Sequence, residues 1–433
     1  MNHVEPDWDD VAVEDFGEIV AGGTPSRAVS SFWNGQIPWI TPAEITSLSG
    51  KYVRDTKERI TPEGLAGSAA RLLPVGSLLV TTRATLGEVA IAAVPVATNQ
   101  GFKSIIPNGE TDPLFAYYCI GNLKREMVRL ASGTTFLEIS KADFSRIRTR
   151  RPKLPEQSRI AAVLDAVDEA IVKTEAVIAK LKQVRAGLLH DLLTRGLDEG
   201  GQLRDPILHP EEFLDTAVGR LPREWRFSRF DEVLEGIDAG KSPDYPDRPA
   251  PPGEWGVLKV SAIWPEGFRP NENKWVTKEV HCNTSYEVHD GDLLISRSNT
   301  YELVGLVCLV RNAPPRLMLC DKTLRLRLKA NRGINPFFAL LLQTRTARSQ
   351  IEVNATGTSG SMKNISQDVI RSLQLGYPQV DEQRRILIAA SPVAGELEVS
   401  ECECLKLRAL KCGLMADLLT GRVRVPEDVG VAS

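Results

Sequence analysis

The sequence lacks any apolar run of about 18 residues, the length that a helix needs to cross a bilayer. Its first residues, MNHVEPDWDD, are acidic and contain no apolar core, so they do not look like a secretion signal. Seven cysteines, an odd number scattered through both halves, fit reduced thiols better than a disulfide framework. We therefore expect a cytoplasmic protein that makes no contact with a membrane.

The sequence also lacks the overall positive charge of a free-standing nucleic-acid-binding protein. Its 53 basic and 56 acidic side chains give a formal net charge of -3. The charge is unevenly distributed, because residues 16–154 contain 17 basic and 11 acidic side chains, an excess of 6. A locally basic surface is therefore compatible with a nearly neutral chain.

Complete catalytic motifs are missing as well. The segment NPFF at 335–338 lacks the second proline of the Asn-Pro-Pro-Phe motif of adenine methyltransferases. The matching segment DPLF at 112–115 favours a helix start, with Asp or Asn as the N-cap and Pro at the first helical position. The segment GGTPS at 22–26 lacks the phosphate-binding pattern, and the five histidines show no metal-ligand spacing. We therefore expect no catalytic residue, metal or cofactor in this chain.

What the sequence does contain is a long helix written twice. Residues 180–194, KLKQVRAGLLHDLLT, and residues 406–420, KLRALKCGLMADLLT, share eight of fifteen positions at a constant offset of 226. Apolar residues recur in both helices at the a and d spacing of a coiled coil. This seam consists of Ile160, Leu164, Val167, Ile171, Ile178, Leu181, Leu188 and Leu192 in the first helix, and Ile386, Ala390, Val393, Leu397, Cys404, Leu407, Leu414 and Leu418 in the second. Pro392 can kink the second helix.

The region before each helix is also duplicated. The matching segments are GGTPS and GKSP at 22–26 and 240–243, VGSLLVTTR and DGDLLISR at 75–83 and 290–297, and SGTTFLEIS and TGTSGSMKNIS at 132–140 and 356–366. Short aliphatic runs bounded by Gly, Pro and Asn predict strands. The expected boundaries are a first domain at 1–154, a central helix at 155–196, a linker at 197–219, a second domain at 220–380, a distal helix at 381–422 and a C-terminal tail at 423–433.

Each of the two related domains is followed by a helix that opens in PEQSRI or DEQRRI and closes in LLHDLLTRG or LMADLLTGR. This arrangement resembles the specificity subunit of type I restriction-modification systems. The resemblance extends over nearly the whole chain and includes the Gly-Thr-Pro-Ser turn and the GSLLVTTR strand. It implies an α+β fold in which two similar α/β target-recognition domains are separated by two long antiparallel coiled-coil helices with internal pseudo-two-fold symmetry.

The resemblance further implies a non-catalytic DNA-binding subunit of a cytoplasmic hetero-oligomer. Each domain is expected to read one half of a bipartite double-stranded DNA site, while the helices set the spacer and dock two methyltransferase subunits. S-adenosylmethionine, ATP and Mg are expected in the partner methyltransferase and motor-nuclease subunits, and no cofactor in this chain. The alternative is a non-catalytic coiled-coil scaffold whose two domains bind small ligands or proteins.

Candidate DNA contacts follow from residue chemistry within the duplicated segments. Arg83 and Arg297 stand at strand ends that the repeat makes equivalent, where Arg can contact phosphate or guanine or can instead pair with a nearby acid. The basic segment RIRTRRPK at 146–153 is equally open to phosphate contact and to simple solvation. The full set is Arg83, Thr85, Asn99, Gln100, Lys103, Thr134, Thr135, Arg148, Arg150, Arg297, Asn299, Lys322, Ser361 and Lys363 for DNA, with Lys182, Gln183 and Arg408 for partner subunits.

Overall fold

The computed structural model describes residues 8–133, 136–357 and 362–427. Contacts divide the chain into two units. Unit 1 holds the chain up to Ala176 together with the chain from Glu401 onwards, and unit 2 holds Val177–Ser400. Both boundaries fall inside long helices, so each unit contains a globular domain and one part of each long helix.

The domain of unit 1 combines short strands with short helices. Its strands are β1 (Asp9–Ala12), β2 (Gly17–Ala21), β3 (Trp33–Ile40), β4 (Tyr52–Val53), β5 (Glu58–Ile60), β6 (Leu78–Val80), β7 (Val89–Ala92), β8 (Ala97–Thr98), β9 (Lys103–Pro107) and β10 (Arg148–Arg151). Its helices are α1 (Pro42–Thr46), α2 (Pro62–Ala66), α3 (Pro113–Asn122), α4 (Lys124–Leu130) and α5 (Lys141–Arg146). Helix α6 (Leu154–Thr194) then leads into unit 2.

The domain of unit 2 follows the same plan. Its strands are β11 (Phe213–Thr216), β12 (Gly219–Pro222), β13 (Arg226–Arg229), β14 (Leu234–Ala239), β15 (Gly256–Leu258), β16 (Ile263–Trp264), β17 (Gly267–Phe268), β18 (Asn273–Trp275), β19 (Leu293–Ser296), β20 (Ser298–Asn299), β21 (Val307–Leu309), β22 (Leu317–Met318), β23 (Thr323–Leu328), β24 (Lys363–Asn364) and β25 (Gln374–Tyr377). Its helices are α7 (Asn335–Leu341), α8 (Arg345–Asn354) and α9 (Gln367–Ser372), and helix α10 (Val380–Leu418) returns to unit 1.

Strand order confirms that the domain is duplicated. In unit 1 the main sheet has the order β2-β9-β6-β7-β4, beside a β5-β3-β8 sheet and a β1-β10 pair. In unit 2 the corresponding order is β14-β23-β19-β21, beside β18-β15-β22 and β13-β25. In each three-stranded sheet the central strand is antiparallel to one neighbour and parallel to the other. Matching strand order and direction make these the same fold, as the sequence repeat predicts.

Every predicted position of the coiled-coil seam is buried or half-buried in the structure, and within unit 1 Ile160 and Leu164 of α6 share a core cluster with Leu418 of α10. Helix α10 also runs without interruption through Pro392. Within unit 1 the helices are antiparallel, since Arg408 pairs with Glu175 while Lys411, further along α10, pairs with the earlier Asp168. Burial of both apolar stripes thus joins the helices, as the periodicity predicts.

The repeated Glu-Gln pair at the two helix starts has a structural role. Gln383 accepts a hydrogen bond from the Ile334 amide at 3.0 Å and donates to the carbonyls of Arg332 and Pro378. Gln157 makes the matching set in unit 1, with the Asp112 amide and the carbonyls of Glu110 and Pro152. These bonds tie each domain to the helix that follows it.

The preceding glutamates hold the other side of the same junction. Glu382 accepts hydrogen bonds from the Trp225 indole at 3.0 Å and from Arg204 at 2.7 Å. Arg204 comes from the segment 197–219 that was expected to be a linker, and this segment also contains strand β11, which pairs with β12. The segment therefore packs as part of unit 2, because its arginine neutralises a buried carboxylate.

The expected helix start at DPLF is confirmed, and the one at NPFF needs a correction of detail. The Asp112 carboxylate caps α3 by accepting from the amides of Leu114 and Phe115, both at 2.9 Å. Asn335 does begin α7, but its side-chain amide donates to the Gly291 carbonyl instead of capping the helix.

Among the helices of the described residues, none has an apolar stretch of the length needed to span a bilayer.

Candidate nucleic-acid interface

The structure brings two of the predicted residues of unit 1, Arg83 and Lys103, onto one carboxylate. Arg83 follows β6, and its backbone forms an antiparallel bridge with Glu138. The Glu138 carboxylate lies 3.6 Å from the Arg83 guanidinium and 3.5 Å from the Lys103 ammonium. Arg83 is 45% exposed, whereas Lys103 is only 10% exposed. Two cations that share one anion leave a positive charge cluster, whose outer member Arg83 can still meet a ligand.

The amide side chains of unit 1 are partly used by local turns. Asn99 accepts a hydrogen bond from the Gly101 amide at 2.8 Å, and Gln100 accepts one from the Thr24 hydroxyl at 2.5 Å. Among the described residues, neither side-chain nitrogen has a partner, so both can still donate. Thr85 is half-buried, and its hydroxyl finds no partner in the described part of the chain. Only Gln100 of these three is fully exposed.

Acidic residues of the N-terminal strand neutralise part of the basic segment at 146–153. Arg148 pairs with Asp10 at 2.8 Å, and Lys153 pairs with Asp9 at 3.2 Å, all on exposed surface. The hydrogen bond from Arg148 lowers the pKa of the Asp10 carboxyl below its usual value. Arg150 is exposed and forms no ion pair among the described residues, although its charge also lowers the pKa of Asp10 to a smaller extent than Arg148 does. Arg150 is therefore a better candidate for a phosphate contact than Arg148.

In unit 2 four predicted residues converge. Strands β20 and β24 pair so that Asn299 lies opposite Lys363. The Arg297 amide donates to the Lys322 carbonyl at 2.7 Å, which places the cationic turn after β22 beside the same strand end. Arg297 and Lys322 are both exposed, and neither has an acidic partner in the described chain. The convergence comes from backbone pairing between segments far apart in sequence.

The expected equivalence of Arg83 and Arg297 is wrong by one residue. The amide of Ile139 donates to the Thr82 carbonyl, and the amide of Ile365 donates to the Arg297 carbonyl, so the backbone matches Arg297 to Thr82. Ser298 is then the counterpart of Arg83. Because neighbouring strand residues point to opposite faces, the two arginines leave the sheet on opposite sides. The two units therefore present different cation arrangements at the same sheet end.

A cleft of about 350 Å³ opens next to the unit 2 cluster. Asn299, Lys322, Lys274 and Met362 are among the residues that line it. Lys274 was not predicted, because it reaches the cleft only through the pairing of β18 with β15, which the sequence pattern does not reveal. The lining contains three lysines, Lys259, Lys274 and Lys322, against the single carboxylate of Asp244. A cleft with an excess of ammonium groups, an amide and an apolar wall suits a ligand that combines negative charge with a flat apolar part.

Some predicted positions cannot be placed in these clusters. Thr134, Thr135 and Ser361 lie outside the described residues. Lys363 is half-buried and its ammonium donates to the Gly357 carbonyl at 2.7 Å. This contact holds the end of the neighbouring loop, so Lys363 has a structural role whatever else it contacts.

The candidate partner-binding residues lie on the long helices. Lys182 and Gln183 are exposed on α6. Arg408 donates to the Glu175 carboxylate at 2.6 Å and remains 60% exposed. Arg408 therefore joins the two helices within unit 1 while still presenting part of its side chain. Docking of a partner at these three residues stays a prediction.

In the described chain, three potential metal ligands lie close together at one place, the exposed group His209, Glu211 and Glu212. Its imidazole Nδ1 lies 3.3 Å from a Glu211 carboxylate oxygen. The histidine spacing did not point to this group, and an exposed cluster of this kind is common without an ion. Cys119 and Cys308 are held as thiols, since burial raises the pKa of Cys119 to about 11 and that of Cys308 to about 12.

Comparisons with known proteins converge on one kind of protein. The family model described as type I restriction modification DNA specificity domain matches residues 5–183. The type I restriction enzyme MjaIX specificity subunit of Methanocaldococcus jannaschii is 28% identical over 244 residues, which cover 56% of this chain and 55% of that protein. The MjaVIII specificity subunit of the same organism is 22% identical over 98% of this chain and 94% of its own length.

A solved structure has the same fold over the full length. The type I restriction-modification system S subunit from M. genitalium aligns with a TM-score of 0.58 at 16% identity, covering 97% of each chain. The alignment to the first of the two relatives above spans about half of that relative's length, and the full-length matches are more distant.

Proposed function

We propose that the chain is a type I restriction-modification specificity subunit, as its matches to that family's model and to specificity subunits support, and that it is the sequence-specific DNA-binding subunit of such a complex. Each domain reads one half of a bipartite duplex site. The observation that carries the proposal is the duplicated fold, which presents a cationic cluster at the same sheet end in both units. One half-site per domain explains why a chain would contain the same fold twice.

The charges of the two clusters support contact with nucleic acid. Arg83 and Lys103 outnumber the single Glu138 between them, and Arg297 and Lys322 have no acid among the described residues. Phosphate neutralisation by Lys and Arg supplies much of the affinity of DNA-binding proteins and makes it salt-dependent. A net charge of -3 for the whole chain is compatible with this role if partner subunits share the phosphate contacts.

The two helices would set the distance between the half-sites and dock two methyltransferase subunits. Helices of 41 and 39 residues extend about 60 Å at 1.5 Å per residue. The duplicated exposed faces, which include Lys182, Gln183 and Arg408, suit two equivalent partners. In this proposal the chain itself catalyses no reaction and holds no cofactor. Partner methyltransferase and motor-nuclease subunits in the cytoplasm bind S-adenosylmethionine, Mg and ATP.

The two-reader model is tested by removing one cluster at a time. The double variants R83A/K103A and R297A/K322A are prepared in the complex with methyltransferase subunits, and duplex affinity and genomic methylation are measured. Each should weaken binding, lower the salt dependence by up to about two phosphate contacts, and affect only the half-site of its own unit. R129A is the control, because Arg129 is 68% exposed and pairs with Glu126, which is not part of the Arg83, Lys103 and Glu138 cluster.

A complex without preference for any duplex would contradict the proposal and favour the scaffold alternative. A variant of one unit that altered both half-sites would instead contradict the assignment of one reader to each half.

The spacer role is tested by lengthening both helices together. Four residues inserted after Leu181 and four after Leu397, both seam positions, add about 6 Å of rise to each helix. That distance corresponds to about two base pairs at 3.4 Å per pair. Methylation mapping should show a longer spacer between unchanged half-sites. Altered half-sites with an unchanged spacer would contradict the spacer role.

A further inference from the structure

A loop closed by the same hydrogen bonds stands beside the cluster in each unit. In unit 1, Ser132 and Glu138 exchange two backbone hydrogen bonds, at 3.0 and 2.9 Å, and close residues 133–137. In unit 2, Thr356 and Asn364 exchange the same pair at 2.9 and 2.8 Å and close residues 357–363. The loops differ in length but share the geometry of their closing pair.

The described ends of the two loops match in a further detail. Gly133 and Gly357 have positive φ angles of 129° and 138°. A Cβ at Gly133 would lie 2.2 Å from the Phe136 carbonyl oxygen, and one at Gly357 would lie 2.5 Å from the Met362 carbonyl oxygen. Only glycine permits so close an approach. Phe136 and Met362, each two residues before the closing partner, therefore occupy the same place in the two loops.

Both of these equivalent positions expose a large apolar side chain. Phe136 is 58% exposed and Met362 is 46% exposed. Single exposed apolar residues are common on protein surfaces, but here the feature recurs at one position of a duplicated loop although the residue type has changed. Retention of a large, exposed apolar side chain at this position argues for a contact outside the chain.

The charged residues near Phe136 and Met362 indicate the kind of molecule that these side chains contact. Glu138, which closes the first loop, holds Arg83 and Lys103, while Met362 lines the same cleft as Lys274 and Lys322. An exposed apolar side chain close to an excess of cations complements a polyanion with apolar parts inside it. Duplex DNA has this arrangement, with phosphates outside and bases within reach through the grooves.

We propose that Phe136 and Met362 are the apolar base-contacting residues of the two domains, each touching a base of the half-site that its own domain reads. The proposal rests on the DNA-reading function proposed above and names the contact that adds base preference to it. Two base surfaces have the required chemistry: the 5-methyl group of thymine in the major groove, and the face of a base at a partly unstacked step.

The test measures F136A and M362A in the full-length chain, in complex with methyltransferase subunits. Each variant should bind the cognate duplex about tenfold more weakly, in line with the discrimination that one good base contact provides. Binding to a non-cognate duplex and the salt slope should not change, because these depend on phosphate contacts. Methylation mapping should show relaxed sequence preference in one half-site only, a different half for each variant.

Matched controls are V75A in unit 1 and V353A in unit 2, since Val75 is 61% exposed and Val353 is 84% exposed and neither lies within residues 133–137 or 357–363. Both should bind like the parent chain. The exchanged variants F136M and M362F keep a large apolar side chain at each position. They should retain most of the affinity for the cognate duplex while shifting the preferred base.

The two base surfaces are separated with modified DNA. If the contact is a thymine methyl group, uracil at one thymine lowers the affinity of the parent complex and has no effect on the alanine variant. If the contact is an unstacked base face, 2-aminopurine at one step brightens on binding in the parent and not in the variant.

The proposal is overturned if F136A and M362A bind and methylate like V75A and V353A. It is also overturned if they lose affinity equally for cognate and non-cognate DNA, or if they release a protein subunit instead of DNA. Where R83A/K103A and R297A/K322A still weaken DNA binding, those results leave the proposed DNA-reading function intact. If the parent complex prefers no duplex, the proposed DNA-reading function is contradicted, and this inference is contradicted with it.

Discussion

Replacement of Glu382 by alanine should open the junction between α10 and the domain of unit 2. The Glu382 and Arg204 side chains are only 8% and 6% exposed, and their closest atoms are 2.7 Å apart. Removing the carboxylate leaves the Arg204 charge, the Trp225 indole N–H and the Leu197 amide without their acceptor. Breaking a buried pair from one side costs about 3–5 kcal/mol.

The neighbouring Asp381 provides the control. Its pair with Arg384 is 82% and 62% exposed, and an exposed pair contributes about 0–1 kcal/mol. The difference between E382A and D381A should thus be about 3 kcal/mol, or roughly a hundredfold in the local opening equilibrium.

Hydrogen exchange followed by mass spectrometry is the suitable assay, because a chain of two units need not unfold in one step. E382A should accelerate exchange at residues 195–225 about a hundredfold, and D381A should leave it within a few-fold of the parent. The counterpart E156A should have a smaller effect, since its partner Arg424 is 52% exposed. Equal exchange in E382A and D381A would refute the reasoning.

Further predictions concern individual side chains. Cys402 and Cys412 are exposed and should react with iodoacetamide at pH 8, whereas Cys119 and Cys308 should stay unmodified until unfolding because burial raises their pKa; intact mass gives the result. Y118F should lower the free energy of unfolding of unit 1 by about 1.5–3 kcal/mol, because the Tyr118 hydroxyl donates to the Asp168 carboxylate at 2.7 Å. In urea unfolding at neutral pH, Y117F should change this free energy little. Burial raises the pKa of Tyr117 to about 12. The neutral phenol therefore favours folding below pH 10, and this contribution to stability is lost as the pH rises towards 12. Ultraviolet titration of the parent chain and of Y117F checks the pKa of Tyr117.

The sequence predicted those features that depend on local periodicity. The seam from Ile160 to Leu192 follows from apolar spacing alone, and the duplicated fold follows from motif order. The cap of α3 at Asp112 follows from the preference of Asp for that position before Pro. In each case a short stretch of chain carries the physical cause, so the tertiary structure is not needed to recognise it.

Features that depend on pairing between distant segments were beyond the sequence. The gap between VTTR and ISR could be placed in two ways, and only the backbone bonds of Thr82 and Arg297 show which is right. Likewise, nothing local identifies Glu138 as the acid for Arg83 or brings Lys274 to the cleft. A duplicated Glu-Gln pair was visible, but its purpose requires the position of Trp225 as well.

The polar contacts of Tyr118 bear on where the first domain could be exchanged for another by recombination. Asp168 of α6 receives the Tyr118 hydroxyl and lies 2.6 Å from Lys411 of α10, and Lys51 also reaches the Tyr118 oxygen at 3.2 Å. Unit 2 has no such polar set at the matching positions, where Leu341 and Ala394 stand. A crossover just before α6 would join a foreign domain to the α6 of this chain. The Asp168 carboxylate would then lack the tyrosine and the lysine that contact it in the original domain. Productive crossovers should therefore fall beyond Asp168, so that a domain is inherited together with the first turns of its helix.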